Sequence, residues 1–379
     1  MAGFHQIAER VLPFIRSVRG LGPVDPNGVA EADFSRLALD TFAMQYEANA
    51  PYRAFCARRG ATPGQVSDWR AIPAVPTSAF KILDLACAPP EKVFLTSGTS
   101  RGGEERGRHL VPRLELYREA ALATFAQAVL GDGLRPRIIA LVAPPSLLPS
   151  SSLAQMVDWI VHDLAGGEGE YLVDQAGFDT ARAAERIDAA ARAGGPLCLI
   201  GLRVLFTSLL DHCRPGERTF SLPADSRIVD TGGPKGGRAL SDAGFLSACW
   251  RTFGIAGYYC VNEYGMTELC SQFYDNVLAA RFAGSNAARR KVGPPWVRTL
   301  AVDPATLEPL PDGAPGILRH IDLANAGSVI AVQTDDLGVT HADGFELLGR
   351  ARGAEARGCA LALADLLESA PVRGAGASR

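Results

Sequence analysis

Lysine is scarce in this 379-residue chain: of its 38 basic residues only Lys81, Lys92, Lys235 and Lys291 are lysine, and the rest are arginine. Beyond residue 291 no side chain can offer an ammonium group. There is no polybasic run either, and with a formal net charge of -3 the chain carries no electrostatic footprint for nucleic acid or an anionic membrane surface. No stretch reaches the roughly 18 uninterrupted apolar residues that a spanning helix needs. The opening MAGFHQIAERVLPFIRSVRG lacks the basic start, apolar run and small-residue cleavage site of a secretory leader, so a cytoplasmic protein is expected. The eight cysteines, at 56, 87, 198, 213, 249, 260, 270 and 359, form no Cys-x-x-Cys pair and do not cluster with histidine. That spacing argues against zinc and against a disulfide framework, and most of them are expected to be buried small hydrophobes.

What the chain does contain is a globular composition, 47% apolar and 21% charged, enough for one large core with a smaller appended unit. Apolar residues recurring at three and four predict a helical region from Phe34 to Arg59, with Gly60 as its stop. The proline-punctuated IPAVPTSAF is expected to run extended over the surface. A short β-prone run, EKVFL, leads into a Ser/Gly/Thr loop, and the alanine-rich LELYREAALATFAQAVLG predicts a helix ending at Gly131. Strands and helices then alternate: RIIALVAP with SLAQMVDWIVHDLAG, GEYLVD with DTARAAERIDAAARAGG, PLCLIGL with VLFTSLLDHC, RIVDTGG with LSDAGFLSACWRTFG. That order predicts an α/β fold with mostly parallel strands flanked by helices. Past Trp296 short β-like runs separated by turn residues predict a smaller β-rich subregion over about 290–345, followed by a short C-terminal segment, 346–379.

Ligands of α/β sheets gather where strands end and loops begin. Three such places stand out. In FLTSGTSRGGEERGRH, residues 94–109, the hydroxyls of Thr96, Ser97, Thr99 and Ser100 surround glycines, among them Gly98, that let backbone N–H groups approach an anion. The Gly-x-x-x-x-Gly-Lys-Ser/Thr pattern of the P-loop is absent, and an ordinary surface turn would read the same way. In YYCVNEYGMTELCSQFYD, residues 258–275, Tyr264-Gly265 is followed by Thr267-Glu268: an aromatic to stack on a base, a hydroxyl for a phosphate and a carboxylate for a hard cation. In TDDLG, residues 334–338, adjacent carboxylates could accept ribose hydroxyls, and Arg350 follows as a fixed cation. Singly, each is equally a set of solvated loop residues.

Taken in order, the sequence resembles the adenylate-forming superfamily, and within it the acyl-protein synthetases of the bacterial luminescence type. TSGTS, NEYGMTE, TDDLG and LGR carry the broader resemblance; DTGGPKGG, NEYGMTELCSQFYD and GAEARGCALALADLL carry the closer one. The resemblance implies an ATP- and Mg²⁺-dependent enzyme that activates a carboxylic acid, expected to be a fatty acid, as acyl-AMP and passes the acyl group to a protein cysteine, with an acyl-CoA-reductase-like protein as partner. It implies that Ser97, Gly98 and Thr99 hold the phosphates, Gly232 and Gly233 lie beside the base, Tyr264 packs on adenine, and Thr267 meets the α-phosphate. Glu268 would bind Mg²⁺, Asp336 the ribose, and Arg350 would support the nucleotide. A carboxylate attacking a phosphorus joins two anions, so such a site needs cations and backbone donors rather than a base.

Two departures from the superfamily pattern follow. The phosphate loop lacks the usual Pro-Lys and offers Arg101, Arg106, Arg108 and His109 instead. Only 29 residues follow Arg350 and none is lysine, where most relatives have a lid of roughly a hundred residues with a catalytic lysine; Lys235 in GGPKGG is the substitute to test, or else an exposed turn residue. A chain without such a lid is poorly equipped to bring in coenzyme A, and a built-in thiol would replace it. Cys359 follows Arg352, Arg357 and Gly358 and opens the helix-prone ALALADLLES, a setting that favours thiolate, although a buried small residue would fit there too. The competing functions are an acyl- or aryl-CoA ligase with a minimal lid and a non-catalytic nucleotide- or acyl-binding component.

Overall fold

The structure, a computed structural model, describes residues 2–18, 31–96, 106–167, 169–233 and 240–351. Three helices open it: α1 (Ala2–Val18), α2 (Glu31–Ala48) and α3 (Ala50–Arg58). The single helical region expected over 34–59 is broken at Asn49, whose side chain accepts the Tyr52 N–H and caps α3 while Pro51 takes a position in its first turn. The proline-rich IPAVPTSAF does not lie on the surface. Ile72, Val75 and Phe80 are fully buried, and Val75–Pro76 pairs in parallel with a central strand of the main sheet, so the apolar residues outweigh the proline punctuation.

A hairpin of β1 (Lys92–Leu95) and β2 (Arg108–Val111) flanks the Ser/Gly/Thr loop, and α4 (Leu114–Val129) follows. The parallel part of the sheet is built from β3 (Arg137–Leu141), β4 (Leu197–Leu202), β5 (Arg227–Thr231) and β6 (Cys260–Tyr264), with Glu170–Tyr171 at its edge. β3 and β4 are largely apolar because both faces of the sheet are covered. Ile138, Ala140 and Val229 pack with α4 and α5 (Ser152–Leu164), while Ile139, Leu141 and Ile228 pack with α6 (Thr180–Ala193), α7 (Arg203–Cys213) and α8 (Asp242–Phe253). No described helix is long and apolar enough to cross a membrane.

The β-rich C-terminal part continues the same sheet with antiparallel pairing. It comprises β7 (Phe273–Asp275), β8 (Lys291–Val292), β9 (Val297–Val302), β10 (Pro315–Asp322), β11 (Ala331–His341) and β12 (Gly344–Arg350). Among the described residues the sheet has 12 strands, its labelled order running β9-β10-β11-β12-β8-β7-β6-β5-β4-β3. The expected α/β class with strands flanked by helices is what forms. β6 therefore has a parallel neighbour on one side and an antiparallel one on the other, and its C-terminal tip, Tyr264, lies at the seam.

A chain of charges, buried except at Asp242, links the same strands. Arg203 donates to Asp230 at 2.5 Å and to Asp242 at 2.8 Å, and Asn262 donates to Asp230 at 2.7 Å. Lys291 donates from Nζ to the Asn262 carbonyl at 2.7 Å, to Asn262 Oδ1 at 2.6 Å and to Asp275 Oδ1 at 2.8 Å. All three of its protons are committed to structure, so Lys291 does not supply an ammonium to chemistry. All seven described cysteines are buried and unpaired in disulfides, as expected of small core residues.

Candidate active site

Tyr264, Asp336, Arg350 and Glu268 are far apart in sequence and meet in space. Tyr264 ends β6, Asp336 lies in β11, and Arg350 ends β12 directly opposite Asp336 in the strand register. The Tyr264 hydroxyl donates to Asp336 Oδ2 at 2.8 Å, and Arg350 Nε approaches Asp336 Oδ1 to 3.4 Å. Asp336 is thus held from two directions: burial pushes its carboxyl up, and the Tyr264 hydroxyl and the Arg350 guanidinium pull it down. Its orientation is fixed by Thr334, whose hydroxyl accepts the Asp336 N–H at 3.0 Å and donates to the Leu318 carbonyl at 2.7 Å. The Arg350 side chain is 76% exposed, so its free N–H groups face outward. Glu268 is buried, and that burial pushes its carboxyl up to about 7, with Arg350 pulling the other way and Asp335 and Asp336 adding to the rise.

Two glycine-bearing turns follow the ends of neighbouring strands. Thr231 registers with Glu263, so Gly232 and Gly233 leave β5 just beyond the end of β6, and Gly232 adopts φ 80°, which only glycine tolerates easily. Gly265 lies against the Glu263 carboxyl: a Cβ there would sit 2.3 Å from its Oε1 and the carboxyl would have to move. Thr96 stands at the base of the hydroxyl-rich loop. Its Oγ1 accepts the Gly107 N–H at 2.9 Å, its N–H donates to the Gly107 carbonyl at 2.9 Å, and Arg106 Nε donates to its carbonyl at 2.7 Å. The Thr96 hydroxyl keeps its own proton to donate. Ser97, Gly98, Thr99, Lys235 and Cys359 lie outside the described residues.

His109 is not a phosphate-binding cation. It is buried, and desolvation pushes its imidazole down to about 4, so it is neutral. Asn325 spends its Nδ2 protons on the carbonyls of Glu268 at 2.9 Å and Val329 at 2.8 Å, which turns Oδ1 toward His109 Nε2 at 2.8 Å and assigns the imidazole proton to Nε2. His109 and Asn325 thereby tie β2, at the base of the phosphate-type loop, to the backbone of Glu268. Arg108 is likewise engaged, 3.4 Å from Asp84.

Sequence reasoning missed Glu263, His109's true role, Asn325 and His320. His320 is fully buried among Tyr264, Phe273 and Phe345, with its Nδ1 3.0 Å from the Thr299 hydroxyl. Nothing in GILRHID marks it, since its importance comes from partners on other strands. Burial pushes His320 down to about 3 from an ordinary 6.5. The folded protein keeps it neutral where the unfolded chain takes up a proton, so its contribution is complete above 6.5 and is lost as pH falls toward 3. Urea melts should therefore show wild-type stability falling between pH 6.5 and 5 by about 2 kcal/mol more than in His320→Asn. Parallel pH profiles in the two proteins would refute this.

A divalent cation fits the carboxylate side of the site. No described cluster of three or more His, Cys, Asp or Glu residues could hold a metal alone. Burial disfavours the charge on Glu268 and raises its carboxyl to about 7, so the ionised form, which a hard cation sharing its shell with phosphate oxygens and water would take, lacks a compensating positive charge at short range among the described residues.

Comparison with known proteins places the chain. Curated proteins similar to it include the long-chain-fatty-acid–luciferin-component ligase of Vibrio harveyi, 26% identical over 347 residues, which cover 87% of each chain. The protein of the same name from Aliivibrio fischeri is 23% identical over 352 residues, 88% of each chain. Among solved structures, an open conformation of 2-hydroxyisobutyryl-CoA ligase in complex with 2-HIB-AMP and CoA superposes with a TM-score of 0.63 over 88% of this chain and 80% of that one, at 17% identity. The same ligase in its postadenylation state gives 0.60 over 84% and 68%, also at 17% identity. At such identity the likeness concerns the fold. The family described as acyl-protein synthetase, LuxE, matches residues 29–368, nearly the whole of what the structure describes, and the chain belongs to that family.

Proposed function

We propose that this protein activates a long-chain fatty acid with ATP and carries the acyl group as a thioester on Cys359. In the first step a carboxylate oxygen attacks the α-phosphorus of ATP, the bond to the β-phosphate oxygen breaks, and acyl-AMP and pyrophosphate result. In the second the Cys359 sulfur attacks the acyl carbon, the bond to the AMP oxygen breaks, AMP leaves, and the thiol proton passes to solvent. The observation that carries the reading is the convergence of Tyr264, Asp336, Arg350 and Glu268 from three strands and a loop where the parallel and antiparallel parts of the sheet meet. Aromatic, ribose-type acceptor, fixed cation and metal-type carboxylate are the groups a nucleoside triphosphate asks for.

Asp336, already held by two neighbours, accepts from the ribose hydroxyls, and Tyr264 presents the edge of the base pocket with Gly232 and Gly233 alongside. Arg350 and Thr267 attend the α-phosphate, while Ser97, Gly98, Thr99 and the Thr96 hydroxyl supply donors to the outer phosphates. Lys235 is the ammonium candidate. Mg²⁺ held at Glu268 would neutralise charge as the two anions approach. The acid is assigned from the names of the curated relatives, and an acyl-CoA-reductase-like protein is the partner that would unload the thioester.

The test is carboxylate-dependent exchange of labelled pyrophosphate into ATP across acids from two to eighteen carbons. Exchange peaking with long-chain acids is expected; none with any acid would sink the adenylation reading.

A further inference from the structure

Glu263 takes no part in the chemistry above, yet it is a carboxyl only 5% exposed, placed directly before the Tyr264–Gly265 turn. Strand alternation aims it away from the Tyr264 side of the sheet. Its Oε2 accepts the hydroxyl of Thr231. Its Oε1 lies under Gly265, so close that a Cβ on that residue would come within 2.3 Å. Thr231 is the last residue of β5 and its registered partner on β6 is Glu263 itself. One carboxyl therefore touches the base of both turns that flank the candidate nucleotide site, Thr231–Gly232–Gly233 on one strand and Tyr264–Gly265 on the next.

As a space-filling group a carboxyl is a poor choice here, because burying it costs more than burying an apolar side chain of equal size. What it supplies instead is direction: a flat acceptor that bonds Thr231 on one oxygen and bears on the Gly265 backbone with the other. Resting on the ATP reading above, we propose that Glu263 is a positioning residue that sets the spacing between the Gly232–Gly233 turn and the Tyr264–Gly265 turn, and with it the width of the slot that receives the nucleotide.

Thr231 from β5 bonds it, and the titratable groups whose charge acts on it or on which its charge acts are Asp230 from β5, Lys291 from β8, Tyr274 from β7 and Tyr117 from α4. Burial pushes its carboxyl up to about 7, Thr231 and Lys291 pull it down and Asp230 pushes it up. At neutral pH it gains charge as pH rises, against an incoming anion.

The experiment compares Glu263→Ala, Glu263→Gln and wild type in carboxylate-dependent pyrophosphate exchange, with AMP binding followed by calorimetry. In Glu263→Ala the KM for ATP should rise at least about tenfold, with kcat and the KM for acid changing by less than about threefold. Glu263→Gln, which keeps an amide oxygen for Thr231, should return the KM for ATP to within about threefold of wild type and flatten its rise between pH 6 and 8. An unchanged KM for ATP in Glu263→Ala overturns the proposal, as does a parallel rise in both KM values without recovery in Glu263→Gln, which would mean a purely structural role. If wild type exchanges normally and only these differences fail, this inference alone falls. Should wild type show no exchange, AMP binding decides: at least about tenfold weaker binding in Glu263→Ala supports the positioning role, equal binding removes that role alone, and no binding in wild type removes it together with the nucleotide reading.

Discussion

Asp336→Ala should lower kcat/KM for ATP in the exchange assay by on the order of 10²-fold, mostly through KM. Two losses combine. The ribose loses a charged acceptor, and hydrogen bonds to charged groups are worth about 1.5–3 kcal/mol each. The protein also loses the group that holds Tyr264 and Arg350: the tyrosine hydroxyl, 2.8 Å from Asp336 Oδ2, is left with the Thr334 hydroxyl and with His320 Nε2 at 3.5 Å, and the guanidinium loses its ion-pair partner. Tyr264→Phe removes only the tyrosine's hydrogen bond and leaves the ring between Phe273 and Phe345, so a smaller loss, about tenfold, is expected. Asp336→Ala should not alter the KM for the fatty acid, because the partners of its carboxylate, Tyr264 and Arg350, are groups assigned to the nucleotide. An Asp336→Ala protein with unchanged affinity for ATP would show that the Tyr264–Asp336–Arg350 cluster is an ion-pair lock on the β11–β12 hairpin and not a nucleotide site.

How much of this was legible in the sequence depends on the range of the interaction. Tyr264, Gly265, Thr267 and Glu268 are neighbours in the chain, and a β-prone run ending in an aromatic-Gly turn is a local signal. The helices α4 to α8 were readable for the same reason. The break at Asn49 was written in Asn-Ala-Pro, an N-cap followed by a proline that the first turn of a helix accepts, and was lost in the apolar periodicity on both sides of it. By contrast, Val75–Pro76 joins β11 across more than 250 residues, and the antiparallel strands after Trp296 add to the parallel sheet through pairings that no local pattern encodes. His320 and Asn325 are unremarkable letters whose roles come from burial and from partners on other elements. Glu263 was passed over because it stands beside Tyr264, and strand alternation hides from a linear reading that the two serve opposite faces.

Cys359→Ser divides the two half-reactions. In wild-type protein incubated with labelled long-chain acid and ATP, protein-bound label released by neutral hydroxylamine is expected. In Cys359→Ser that label should vanish while pyrophosphate exchange stays within about twofold of wild type, because the first step ends at acyl-AMP and needs no thiol. The size of the effect follows from the nucleophile: a serine hydroxyl without a paired base is essentially un-ionised at neutral pH, whereas a thiol of ordinary pKa about 8.5 already carries a few per cent thiolate. Acyl-AMP should then accumulate on the variant, visible as labelled adenylate released when the protein is denatured. The seven described cysteines are not substitutes, since all are buried and desolvation pushes the thiols of Cys56, Cys87 and Cys198 up to about 12, far from a reactive thiolate. Hydroxylamine-labile label undiminished in Cys359→Ser would place the acyl group elsewhere, and coenzyme A consumed with no protein-bound intermediate in wild type would make the enzyme a ligase that releases its thioester rather than carrying it.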